Sequence, residues 1–116
     1  MNRNEVGRKA ESLAAEHLKI KGMSVVARNF LCKVGEIDLV MQDGTEIVFV
    51  EVRSRASQSF GGAAASVDAS KRRKVARAAR VWLAARGWDG PCRFDVVAVE
   101  GGRLEHLPAA FEADSR

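Results

Sequence analysis

The sequence predicts a single α/β domain over residues 1–116, with a central mixed sheet flanked by helices. The composition is 47% hydrophobic and 29% charged residues, which fits a soluble domain rather than a disordered or membrane-spanning chain. Segments with helical periodicity alternate with short segments typical of strands. One segment, RFDVVAVE, is almost continuously apolar, as expected of a central strand covered on both faces.

The two helices are predicted from apolar spacing and from the glycines that follow them. Residues 4–21 carry apolar side chains at helical spacing, and Gly22 stands where a helix C-cap belongs. Residues 68–86 form the second helix, which ends at Gly87 and places Trp82 on its inner face. Both helices should therefore pack on the sheet.

Five strands complete the prediction in the order helix, three strands, helix, two strands. The segments MSVVARNF, GEIDLVMQ and TEIVFVEVR are predicted as the first three strands. After the second helix, RFDVVAVE is followed by a turn at Gly101-Gly102 and by a short last strand, RLEHLP. Residues 54–66 are rich in Ser, Gly and Ala and are expected to form a loop that faces the substrate.

The hairpin formed by the second and third strands carries charge among apolar residues. A two-residue turn at Asp43-Gly44 is predicted, and the period of two then places Asp38, Glu51 and Arg53 on one face. In this register Asp38 and Glu51 are diagonal neighbours, about 7–8 Å apart at the backbone. That separation allows two carboxylates to converge on one ion.

Neighbouring carboxylates on a half-buried face need a counter-ion or a proton, because they repel each other and lose solvation. A hard divalent cation such as Mg²⁺ or Mn²⁺ meets that need and retains open positions for a substrate phosphate. The alternative is that Arg53 neutralises Glu51 in a purely structural ion pair. The hairpin alone leaves both interpretations open.

The helices add further candidate residues. Glu11 lies at the border of the first helix's apolar stripe, where it either reaches the sheet or remains a solvated side chain. Lys71 falls on the inward stripe at the start of the second helix. The exposed side of that helix is strongly basic and nearly free of acids, which favours a phosphate-binding surface over a merely solubilising one. The residues of this basic surface are Arg73, Lys74, Arg77 and Arg80.

Together these residues resemble a known arrangement. Asp38 followed by Glu51-Val52-Arg53, with a preceding helical glutamate, resembles the PD-(D/E)xK nuclease motif, and the predicted element order resembles the αβββαβ core of the restriction-endonuclease-like fold. The segments GRKAESLAAEHLKIKG, RNFLCKVGEIDLV, VFVEVRSR, FGGA, KRRKVARAARVWL and RFDVVAV resemble, in that order, the YraN-like family of proposed endonucleases. Archaeal Holliday-junction resolvases are similar in their sequence of acids.

The resemblance implies a metal-dependent endonuclease that hydrolyses DNA, preferably branched or otherwise structured DNA. It implies Mg²⁺ or Mn²⁺ as cofactor, and as metal ligands Glu11, Asp38, Glu51 and the Val52 carbonyl. Asp38 and Glu51 would be catalytic together with Arg53, which stands where these nucleases usually carry lysine and offers a planar donor fork instead. Lys71 is the candidate for a helper. The alternatives are a nucleic-acid-binding module that lost catalysis and a scaffold whose acids are structural pairs.

Other features of the sequence predict the cellular location, the role of the histidines and the oligomeric state of the protein. Cys32 and Cys92 are far apart in sequence with no zinc-ligand pattern, which favours reduced thiols and a cytoplasmic location. No segment reaches the apolar length of a membrane-spanning helix. His17 and His106 have no partner at ligand spacing and are expected to be packing or surface residues. A homodimer is expected only by analogy with small resolvases.

Overall fold

The computed structural model describes residues 3–54 and 67–112, which form two helices and one five-stranded sheet. The helices are α1 (Arg3–Ile20) and α2 (Ala69–Arg86), and the strands are β1 (Ser24–Cys32), β2 (Gly35–Asp43), β3 (Glu46–Ser54), β4 (Cys92–Glu100) and β5 (Arg103–Phe111). The strand order follows the chain from β1 to β5, and only β3 and β4 are parallel. The predicted α/β fold is confirmed and is compatible with a restriction-endonuclease-like core.

The last strand is longer than predicted. The last strand continues past the expected segment RLEHLP and ends at Phe111, where it pairs with Phe94 of β4. Residues 55–66, which contain most of the predicted substrate-facing loop, lie outside the described residues. None of the described helices is apolar enough over a sufficient length to cross a membrane.

The helix α2 crosses from β3 to β4 and makes the parallel pairing of these strands possible. Its Asp68 cap accepts a hydrogen bond from the Lys71 backbone N–H at 2.9 Å, and Gly87 ends the helix in the left-handed region at φ 64°. On the sheet beneath, Phe49 packs edge-on against Trp82 with ring centroids 5.8 Å apart. These contacts form the larger of the two cores.

The opposite face of the sheet is covered by α1. Its buried stripe consists mainly of small residues, which bring the helix backbone close to the strands; the stripe is Ala10, Ala14, Ala15 and Leu18. They pack with Leu39 of β2 and Val50 of β3 in a separate core. The sheet is therefore buried on both faces, which explains the nearly continuous apolar runs in its central strands.

The turn of the β2–β3 hairpin differs from the prediction. Asp43 pairs with Glu46 as the last residue of β2, so the turn residues are Gly44 and Thr45 rather than Asp43 and Gly44. Gly44 has a φ of 63°, as the first position of a type II′ turn requires. The partners shift by two residues, an even number, so the shift by itself moves no side chain to the other face.

Candidate functional site

The regular ladder between β2 and β3 ends at the pair Leu39–Val50. One residue further, Asp38 and Glu51 come opposite each other, and their side chains replace the ladder's backbone hydrogen bonds. Asp38 Oδ2 accepts a hydrogen bond from the Val52 N–H at 2.8 Å, while Glu51 Oε2 lies 3.5 Å from the Asp38 N–H that points to it. Each carboxylate thus lies against a backbone N–H of the opposite strand, just beyond the end of the ladder.

The side-chain alternation of β2 breaks at this point. Ile37 belongs to the core under α2 and Leu39 to the core under α1, although residues two apart in a regular strand face the same side. On β1, the register places Asn29 opposite Asp38, and Asn29 adopts a left-handed conformation with φ 50°. The irregularity in both strands opens the sheet locally around the Asp38 carboxylate.

Glu51 is the most deeply buried acid of this group, with 1% of its surface exposed. Burial and the neighbouring Asp38 charge raise the pKa of Glu51 to about 7, and the Lys71 ammonium opposes that rise. Lys71 Nζ lies 3.3 Å from Glu51 Oε1. Apart from this ion pair, Oε1 has no hydrogen-bond partner among the described residues, so one of its lone pairs is left for another donor or a cation.

Asp38 is half-buried and has an electrostatic environment of mixed sign. Burial raises the pKa of Asp38, and the Glu36 charge adds to the rise. The Val52 N–H, the Lys71 ammonium and the Arg53 guanidinium act against it. Lys71 therefore acts electrostatically on both carboxylates, and Arg53 acts on Asp38.

Glu11 approaches the pair from α1. It is half-buried, and its pKa is raised first by burial and next by the Asp38 charge, while hydrogen bonding from the Asn29 side chain lowers it. The three predicted acids do not come together as one cluster, because among residues 3–54 and 67–112 no three acidic, histidine or cysteine side chains form a metal-binding group. The structure brings together Asp38 and Glu51, with Glu11 at a greater distance.

The pair nevertheless has the donor set that a hard cation uses. Mg²⁺ is commonly held by one or two carboxylates and keeps several waters. Glu51 Oε1 has an unused lone pair, and the Val52 C=O points to the same side as its N–H, toward Asp38, as backbone groups of one strand residue do. Asp38, Glu51 and the Val52 carbonyl therefore fit a divalent cation.

The basic surface of α2 lies beside this site. Its predicted members Arg73, Lys74, Arg77 and Arg80 are all exposed. Three of them line a common groove, whereas Lys74 does not line it, and the Lys74 carbonyl lies against Gly35 at the start of β2. The predicted surface is thus divided between two flanks of the helix.

Two features of the structure were not predicted from the sequence. Arg72 lines the same groove as Arg73 and Arg77, but its helical position resembled that of a core residue. On the sheet face under α1, Asp95 is fully buried and accepts hydrogen bonds from Arg93, from the Ala109 N–H and, at 2.7 Å, from His106 Nε2. Because both oxygens of Asp95 are satisfied, this second cluster has the character of a structural network.

Comparisons with known proteins place these residues in a family context. Residues 10–99 match the family described as "Uncharacterised protein family UPF0102". The chain is 53% identical to a UPF0102 protein of Cupriavidus taiwanensis, with 98% of this chain and 88% of that protein covered.

Two further relatives are similar over comparable lengths. A UPF0102 protein of Saccharophagus degradans is 50% identical, with 93% of each chain covered. A UPF0102 protein of Yersinia pseudotuberculosis is 48% identical, with 98% of this chain and all of that protein covered. The YraN-like resemblance of the sequence is confirmed by these matches, and the chain belongs to the protein family UPF0102.

Proposed function

We propose that this protein is a metal-dependent phosphodiesterase that hydrolyses DNA at the Asp38–Glu51 pair. The observation that carries the proposal is the half-buried Asp38 carboxylate beside the buried Glu51 carboxylate, whose Oε1 has no hydrogen bond among the described residues apart from the Lys71 ion pair. Such an arrangement is costly for a folded protein unless a cation or a proton is bound there.

The residues around the pair have separate roles in this proposal. Asp38 and Glu51 provide the anionic oxygens, with the Val52 carbonyl beside them, and the Val52 N–H orients the Asp38 carboxylate. When bound, Mg²⁺ or Mn²⁺ acidifies a water and offsets the charge of the scissile phosphate. Lys71 and Arg53 supply positive charge for the non-bridging oxygens of the phosphate. Glu11 is the third carboxylate of this proposal, and its pKa is already raised by burial and by the Asp38 charge.

Arg53 limits the chemistry of this site. An arginine stays protonated in proteins, so it can orient or stabilise a phosphate but cannot take a proton from the attacking water. Lys71 Nζ lies 3.3 Å from Glu51 Oε1 and is the helper residue of this proposal. The proposal also includes a preference for branched DNA and a homodimer, both by analogy with the nucleases that the sequence resembles. It includes a cytoplasmic location as well.

A second candidate function is a nucleic-acid-binding module without catalysis. It is favoured by Arg53 and by the Lys71 ammonium, which already neutralises part of the charge on Glu51. In this case the pair would retain Lys71 as its permanent counter-ion, and the basic side chains of α2 would supply salt-dependent affinity for phosphates.

Metal titration separates the two functions. Calorimetry should show Mg²⁺ or Mn²⁺ binding to the wild type, abolished in Asp38→Asn and unchanged in Glu105→Gln, which alters an exposed acid of β5.

A cleavage assay tests catalysis directly. Nicked, flapped, four-way and linear DNA are incubated with Mn²⁺ and with either the wild type or Glu51→Gln. Cleavage by the wild type alone supports the nuclease. If the wild type binds neither ion and cleaves no more DNA than Glu51→Gln, the nuclease is contradicted and the non-catalytic nucleic-acid-binding module is supported.

A further inference from the structure

A groove of about 210 Å³ lies between α2 and the residue that follows β5. Among the described residues, four arginines line it together with Glu112 and two alanines of α2 that leave it open; the arginines are Arg72, Arg73, Arg77 and Arg80. The described lining is therefore rich in guanidinium groups. A concave site with this charge is suited to an anion of compact shape.

Arg72 is held in place before any ligand arrives. Its Nε donates a hydrogen bond to the Val67 carbonyl at 2.8 Å, and its guanidinium lies 5.3 Å from the centroid of the Phe111 ring. Together these contacts fix the plane of the donor fork. A fixed guanidinium loses less conformational entropy on binding an anion than a freely rotating side chain does.

The groove is separate from the carboxylate pair. Lys71 contacts Glu51, whereas the next residue along α2, Arg72, turns by about 100° to the flank that faces Phe111. Neither Asp38 nor Glu51 lines the groove. The first turn of α2 therefore carries two chemically different sites on different flanks.

We propose that this groove binds a phosphate monoester, as found at the end of a nucleic-acid strand. A monoester carries close to two negative charges near neutral pH and presents three free oxygens, whereas an internal phosphodiester carries one charge and presents two. Several guanidinium groups around one cavity match the monoester better, because each can form paired hydrogen bonds with the free oxygens. The assignment to a strand end rests on the proposed function, whereas the phosphate chemistry rests on the groove alone.

The test measures binding without divalent metal, in EDTA and at near-physiological salt. Oligonucleotides of one sequence carry a 5′-phosphate, a 3′-phosphate or hydroxyl ends only, and their affinities are compared by fluorescence anisotropy. The wild type should bind one phosphorylated form about tenfold more tightly than the hydroxyl form, since a charge-assisted hydrogen-bond pair is worth that much. Inorganic phosphate should compete, and a strand terminus should bind more tightly than inorganic phosphate.

Arg72→Lys keeps the charge but removes the fork and the Nε hydrogen bond, so the preference should fall to near onefold. Arg86→Lys is the matched control: Arg86 is on the same helix, stacks over Trp82 at 4.9 Å and does not line the groove. Should Arg72→Lys not fold by circular dichroism, Arg77→Gln, which changes an exposed lining residue, replaces it. Equal affinities for phosphorylated and hydroxyl ends, or an equal loss in Arg86→Lys, would overturn the proposal.

Asp38→Asn separates this proposal from the proposed function. It should keep the preference for a phosphorylated end while losing metal binding. Metal-dependent cleavage without an end preference would therefore contradict the groove alone, and an end preference without metal binding would contradict the nuclease alone.

Discussion

At the scale of single residues, Glu51 has both of its oxygens inside the protein, where a charge is expensive. Burial and the neighbouring Asp38 charge raise the pKa of Glu51, and together they outweigh the Lys71 ammonium, which lowers it. A carboxyl group with a pKa of about 7 changes its charge within the physiological range. Folding should therefore be coupled to pH through this side chain.

We expect the free energy of unfolding to decrease as the pH rises from about 5 to about 8. The folded state holds the Glu51 proton with a pKa of about 7, above the ordinary value of 4.5, so its stabilising contribution is complete below 4.5 and is lost above 7. Asp38 contributes with the same sign, since its pKa is also raised by burial. Urea unfolding at a series of pH values measures the slope.

Glu51→Gln should remove most of this slope and should be more stable than the wild type at about pH 8, by roughly 1–3 kcal/mol. Mn²⁺ should stabilise the wild type at this pH but not the variant. An equally steep pH dependence in Glu51→Gln would show that other groups are responsible. Glu105→Gln, at an exposed position of β5, serves as the control and should behave as the wild type.

At the scale of elements, the start of β2 is positioned by close contact with α2. A Cβ on Gly35 would lie 2.9 Å from the Lys74 carbonyl oxygen, a backbone atom that cannot move aside without the helix. This contact holds the strand carrying Asp38 against the helix carrying Lys71, whose ammonium acts on both carboxylates. The absence of a side chain at residue 35 is thus a condition for the geometry of the site.

Gly35→Ala should lower the free energy of unfolding by roughly 1–3 kcal/mol, because the added methyl group overpacks the contact between strand and helix. Gly7→Ala is the matched control: it makes the same change inside α1, where a Cβ would meet nothing within 4 Å. That substitution should stabilise the protein by about 0.5–1 kcal/mol, since alanine is the better helix former. Denaturant unfolding of the two variants measures both signs, and a stable Gly35→Ala protein would contradict the tight contact.

At the scale of the whole molecule, the two faces of one sheet each contribute to a separate hydrophobic core. Phe49 of β3 packs under α2 and its neighbour Val50 packs under α1, so each central strand contributes to both layers. The Asp95 network adds a connection from β4 to β5 through His106, and Lys21, just after α1, is hydrogen-bonded to the other nitrogen of that ring at 2.8 Å. The two layers should therefore unfold as one cooperative unit.

Leu18→Ala tests this cooperativity from the α1 side. The substitution should cost about 2–5 kcal/mol, because Leu18 is fully buried. Tryptophan fluorescence reports Trp82 and Trp88, which both pack in the core under α2, and its transition should shift together with the far-ultraviolet circular dichroism transition. Leu13→Ala makes the same change at an exposed position of α1 and should have a much smaller effect. A fluorescence transition that stayed in place in Leu18→Ala would show independent layers.

The predictions from sequence held where the periodicity of side chains decides the outcome. The period of two placed Asp38 and Glu51 on one face. The turn of the hairpin was predicted one residue too early, but this error did not change the face of either acid, because the partners shifted by an even number of residues. Helical spacing likewise placed Lys71 inward, where it meets Glu51. Not every apolar residue of the first helix is buried: Val6 and Leu13 are exposed, because the sheet is covered by the helix's alanines and Leu18.

The sequence by itself therefore determined the order of the elements, the faces of the strands and the residues that carry charge into the sheet. These follow from local periodicity and turn chemistry, which act over a few neighbouring residues. Only the tertiary structure decided which groups meet: the Asp38 and Glu51 carboxylates each lie against a backbone N–H of the opposite strand, the three acids form no metal-binding group among the described residues, and Arg72 is fixed between Val67 and Phe111. Such distances depend on where strand pairing stops and how helices dock, and both are set by packing between segments far apart in the chain.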